Sequence, residues 1–70
     1  MQIRYSPDAD VLLIKLKDGQ VSDSKDIAEH IIVHYSSNNE PLEIEILDAS
    51  KLVSLGDVDV SWKELLAQKV

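Results

Sequence analysis

Two histidines, His30 and His34, are the only imidazoles in the chain. With Glu43 and Asp48 they are the residues whose types most readily do chemistry. An imidazole can bind a metal, carry a proton or pair with a carboxylate near neutral pH. Spacing decides among these uses. Four residues along one extended strand cover about 13 Å at roughly 3.3 Å per residue, whereas metal–ligand bonds are about 2 Å long. One ion cannot take both rings from a single strand, which leaves shared ligation between two chains open. The plainer reading makes both rings surface groups, with His34 paired to Glu43. A metal-binding or enzymatic site using His30, His34 and Glu43 is the disfavoured alternative.

The remaining polar constellations are weaker. Asp8 and Asp10 share one turn, and Asp57 and Asp59 another. No calcium-loop spacing accompanies them, so turn and cap chemistry is their expected work. Glu43 and Glu45 could act as general acid and base only in a pocket that separates their pKa values; alternation instead places them on a solvated sheet face. Ser50 and Ser61 have no neighbouring histidine or glycine elbow. Gly19 and Gly56 lie too far apart for a phosphate-binding loop. No catalytic, cofactor-binding or metal residue is assigned. The candidate interaction residues are His30, His34, Glu43 and Asp48.

Alternation defines the elements that must position these groups. Met1 to Tyr5 reads as a strand, Ser6 to Asp10 as a turn around Pro7, and Val11 to Lys17 as a second strand with apolar residues on both faces. Asp18-Gly19 has the composition of a two-residue hairpin turn. The return strand starts at Gln20 and weakens through Asp23–Asp26 into a bulge or edge. Ile27 to Ser36 reads as one strand, with the β-branched run Ile31–Val33 deciding against helix. A two-residue turn at Asn38-Asn39 would set Tyr35 opposite Leu42, Val33 opposite Ile44 and Ile31 opposite Ile46, with His34 against Glu43, Ile32 against Glu45 and His30 against Leu47. Asp48 then falls on the core side, where its side chain is expected to bond the amides of the Ala49–Lys51 corner. Ser61 and Glu64 have capping-box spacing for a helix from Trp62 to about Lys69, with Val58, Trp62, Leu65 and Leu66 as its buried stripe. The fold class is α+β: a small antiparallel β-meander of about four strands with a C-terminal helix packed on one face, in a single domain over residues 1–70.

The segments Tyr5-Ser-Pro-Asp-Ala-Asp10, Leu12-Leu-Ile-Lys-Leu16, Asp18-Gly19, Val33-His-Tyr35 and Ile44-Glu-Ile-Leu-Asp-Ala-Ser50 together give the chain a family likeness. It resembles the short bacterial and archaeal proteins grouped as domain-of-unknown-function family 2283. Two positions depart from that pattern: relatives often carry an acid in place of His34 and a glycine in place of Glu43. The resemblance implies this fold and a prokaryotic source, and brings no activity, cofactor or catalytic residue. Relatives encoded beside small toxin-like proteins imply an antitoxin-like role.

The totals bound the function. Lys plus Arg is 7 and Asp plus Glu is 13, for a net charge of −6. Phosphate backbones need concentrated positive charge, so nucleic acid is an unsuitable partner, and a basic protein is a suitable one. The absence of cysteine excludes disulfides and thiolate metal sites. No apolar run reaches membrane-spanning length and no signal-like segment opens the chain, so a cytoplasmic, membrane-free location is expected. A domain this small buries a modest share of its surface, which makes a homodimer hiding one sheet face the expected remedy. These points predict a small acidic interaction module. The alternative is an orphan structural domain with self-association as its one property.

Overall fold

A computed structural model describes residues 1–57 and 59. The helix expected from Trp62 to Lys69, its capping box and its apolar stripe lie outside the described residues. Among the described residues five strands form one antiparallel sheet: β1 (Gln2–Ser6), β2 (Val11–Lys15), β3 (Asp23–Ala28), β4 (Ile31–Tyr35) and β5 (Pro41–Leu47). A short helix, α1 (Ala49–Leu52), follows β5. The α+β antiparallel class expected from the alternation is the class observed, with five strands in place of about four.

The order across the sheet is β1-β2-β5-β4-β3. β5 therefore sits at the centre, flanked by β2 and β4. Its alternation explains the position, because both neighbours supply apolar partners on the same face. Leu12, Ile46 and Ile31 stand in one row, and Ile14, Ile44 and Val33 in the next. Tyr5 and Ile3 of β1 extend these rows outward. The opposite face mixes charge with aliphatic residues: Arg4, Leu13, Glu45, Ile32 and Asp26 form one row, and Gln2, Lys15, Glu43, His34 and Ser24 another.

The connection from β2 to β3 departs from the sequence reading. Asp18-Gly19 does not close a hairpin, because β2 and β3 lie on opposite sides of β5 and β4. The chain instead crosses the end of the sheet over the start of β5. The Leu16 amide donates to the Leu42 carbonyl at 2.7 Å, and the Ser22 amide to the Tyr35 carbonyl at 2.8 Å. A Cβ on Gly19 would come within 2.8 Å of Leu42 Cδ2. Neither glycine has a positive φ. Gly19 is thus required by close packing on Leu42, which is only 2 % exposed, and not by turn geometry.

A second correction concerns Ile27–Ser36. This stretch is two strands, joined by a turn at Glu29-His30 in which His30 takes a φ of 68°. A bulge between Asp26 and Ala28 precedes it. The β4–β5 register matches the expected one at Ile31/Ile46, Ile32/Glu45, Val33/Ile44 and His34/Glu43. It slips at the last pair, where Tyr35 meets Pro41 rather than Leu42. The turn after β4 is longer than two residues: the Ser36 amide donates to the Glu40 carbonyl at 2.9 Å. Ser36 Oγ accepts from the amides of Asn38 and Glu40. Left-handed backbone occurs at Asp10, His30, Asn39 and Asp48, residue types that tolerate it better than most.

Candidate functional site

Two polar clusters stand out among the described residues. The first lies where the β1–β2 turn meets the chain leaving β5. Asp10 ends that turn at φ 54°, which aims its carboxylate across the sheet end toward α1. There Oδ1 accepts from Tyr5 Oη at 2.7 Å and from the Ser50 amide at 2.9 Å, while Oδ2 accepts from Ser50 Oγ at 2.7 Å. The Asp10 carbonyl also accepts from the Ala49 amide at 2.9 Å. One residue therefore satisfies two of the orphan amides at the start of α1. Hydrogen bonding favours the ionised form of an acceptor carboxylate. The Asp10 carboxyl is accordingly held below its ordinary value, first by the Ser50 hydroxyl and then by Tyr5. The Tyr5 hydroxyl is pushed up, chiefly because it donates to Asp10. Ala49, fully buried at 0 % exposure, is the apolar centre of this corner.

Asp48 does not do the work expected of it. It is exposed, takes a φ of 51° and makes no side-chain cap bond; the Lys51 amide bonds its main-chain carbonyl instead. Its Oδ2 lies 3.4 Å from His30 Nδ1. The left-handed backbone turns Asp48 away from the core side that simple alternation assigns to it. Asp10, forty residues before the Ser50 amide that it binds, supplies the cap.

The second cluster runs across three strands on the mixed face. Ser24 Oγ of β3 lies 2.6 Å from His34 Nδ1 of β4, and His34 Nε2 lies 2.8 Å from Glu45 Oε1 of β5. His34 faces Glu43 in the register as expected, but its hydrogen bond goes diagonally to Glu45. An ionised carboxylate can only accept, so neutral His34 carries its proton on Nε2, and Nδ1 accepts from the Ser24 hydroxyl. The connectivity is that of a hydroxyl–imidazole–carboxylate relay, with the ring nitrogens exchanged relative to the usual serine-hydrolase arrangement. Such chemistry also needs oxyanion donors in a water-excluded site. Ser24 is exposed on an edge strand. An open depression of about 580 Å³ on the same face includes Arg4, Leu13 and Glu45 but neither Ser24 nor His34. The arrangement stitches β3 to β4 and β5.

The structure separates the remaining candidates. His30 sits in a turn and His34 within β4, and Glu43 bonds neither ring. Among the described residues no group of three or more His, Asp or Glu side chains is placed to hold a metal ion, and no helix is long and apolar enough to cross a membrane. Sequence reasoning missed the Tyr5–Asp10–Ser50 cluster and the roles of Ser24 and Glu45. The signal for the first was present: Tyr5, Asp10 and Ser50 all fall in two of the segments that carry the family resemblance, Tyr5–Asp10 and Ile44–Ser50. Nothing local marks Ser24, which gains its partner only through the β3–β4 pairing.

No curated protein and no solved structure matches the chain. The model of the family described as "Protein of unknown function (DUF2283)" matches residues 2–50, a span that begins with β1 and ends at the serine held by Asp10; the chain belongs to that family.

Proposed function

We propose that this protein is a small acidic interaction module of the prokaryotic cytoplasm that works as a homodimer. The observation that carries the proposal is the distribution of apolar surface. Among the described residues only Val33, Leu42, Ile46 and Ala49 form a buried apolar core, while Met1, Ile3, Tyr5, Val21, Ile27 and Leu52 remain exposed. A sheet with so few covered side chains gains most from a partner that removes further apolar area from water, at roughly 25 cal/mol per Å². The net charge of −6 supports a second partner of opposite sign, a small basic protein that the dimer would neutralise in the manner of an antitoxin. Sedimentation velocity across micromolar concentrations tests the first element. A concentration-dependent dimer is expected, and a monomer throughout the range would overturn the reading.

A further inference from the structure

The two edges of the sheet are unlike each other. β3 carries the features by which natural sheets discourage edge pairing: a bulge between Asp26 and Ala28, the charges Asp23, Lys25 and Asp26, and a lysine drawn across the face, with Lys25 Nζ 5.5 Å from the Tyr35 ring centroid. β1 has no bulge and a single charge, Arg4. Its register with β2 runs unbroken from Gln2 to Ser6, all five residues are exposed, and no proline or acid interrupts it. Met1 at 72 %, Ile3 at 45 % and Tyr5 at 39 % exposure occupy alternate positions and therefore one face, the face of Leu12 and Ile14.

We propose that β1 is a self-pairing edge, joined antiparallel to β1 of a second copy about a two-fold axis through Ile3. This rests on the homodimer reading above and names its seam. Centred there, Ile3 meets Ile3 of the partner subunit, Met1 meets the partner's Tyr5, and Tyr5 meets the partner's Met1, so the row that faces outward closes on itself. On the other face Gln2 meets the partner's Arg4, a guanidinium opposite an amide carbonyl. Centring the axis one residue later would set Arg4 against Arg4 of the partner subunit, a like-charge pair that destabilises a sheet. The arrangement is isologous and closes at two copies, whereas β1 added to the guarded β3 edge would propagate without closing. The two apolar faces become one continuous surface across ten strands. Five paired residues make a short seam, which places the complex among the weaker associations below roughly 1,200 Å² of buried surface.

The chain has no cysteine, so single replacements report directly. Directly opposed residues in an antiparallel pair have Cα atoms about 4.5–5.5 Å apart, within disulfide range. Two residue-4 positions would be offset by two residues, about 8 Å apart and out of range. Under mild oxidation Ile3→Cys should form a covalent dimer at least ~10-fold faster than Arg4→Cys or Lys25→Cys. An Ile3→Glu variant, which sets two carboxylates face to face on the axis, should raise the dimer dissociation constant at least ~10-fold with its β-sheet circular dichroism retained. A wild-type dimer in which Ile3→Cys cross-links no faster than Lys25→Cys, or in which Ile3→Glu leaves the dissociation constant unchanged, overturns the seam and leaves the homodimer standing. Faster cross-linking at Arg4→Cys overturns the axis. A wild-type monomer at every concentration overturns both.

Discussion

Asp10 accepts three hydrogen bonds on one carboxylate, and the groups it holds come from both sides of the sheet end. Asp10→Asn keeps the volume but removes the charge and one acceptor, so the melting temperature at pH 7 should fall by several degrees. The pH dependence has a defined sign. The Asp10 carboxyl is depressed on folding, so its contribution is present above the unfolded value near 3.8 and is lost as pH falls through the lower folded value. The Tyr5 hydroxyl is raised, so its contribution is complete below 10.0 and is lost as pH rises through the higher folded value. The melting-temperature gap between wild type and Asp10→Asn should therefore narrow as the buffer is taken below pH 3.8 and close once the pH passes below the folded value, where neither protein carries the charge. A gap that stays constant would show that the carboxylate's charge contributes nothing to the corner. Asp48, the residue that simple alternation singled out, shows why the corner was only half legible. Two-residue periodicity holds while the backbone is extended, and a single left-handed residue at φ 51° breaks it. The cap then came from a residue forty positions away, a distance that no local pattern spans.

At the scale of elements, the β4–β5 pairing was legible because two independent alternations had to agree on one face, and a slip of one residue would have exposed both sets. The β2–β3 connection was misread for an equally physical reason. Glycine beside aspartate serves either a left-handed turn or a close approach, and composition alone does not separate the two uses. Here the use is close approach. Gly19→Ala drives a methyl group into Leu42 at 2.8 Å, and Leu42, nearly inaccessible at 2 %, has little room to yield. A loss of about 1–3 kcal/mol is expected from such overpacking, measurable by urea unfolding. A turn glycine of the hairpin type would behave differently, since φ at Gly19 is not positive and alanine would meet no backbone strain there. The Glu29-His30 turn was invisible for the opposite reason: it uses neither glycine nor asparagine, and His30 supplies the left-handed residue instead.

The whole molecule is acidic on a sheet whose two edges differ in sign as well as in protection. Arg4 lies on β1, and Asp23 and Asp26 on β3. A dimer joined through β1 would turn both β3 edges outward, so the acidic ends would form the outer flanks of the assembly. A basic partner would then be met at two equivalent places. The proposed association with a small basic protein should weaken steeply as salt rises, because exposed charges separated by more than about 8 Å are screened at physiological ionic strength. Isothermal titration at two salt concentrations checks this, and a salt-independent affinity would exclude charge as the basis of recognition.

The central place of β5 also governs how the chain can be made. β1 with β2, and β3 with β4, are neighbours in sequence and can pair as they leave the ribosome, yet an isolated two-stranded hairpin is marginally stable in water. Each has an inner side, Val11–Lys15 in one and Ile31–Tyr35 in the other, that only Pro41–Leu47 completes. Synthesis therefore delivers two unfinished halves and, last among the described strands, the one that welds them. The sheet closes only when β5 arrives, and the interval before β5 emerges is when a bare inner strand is exposed to the wrong neighbour.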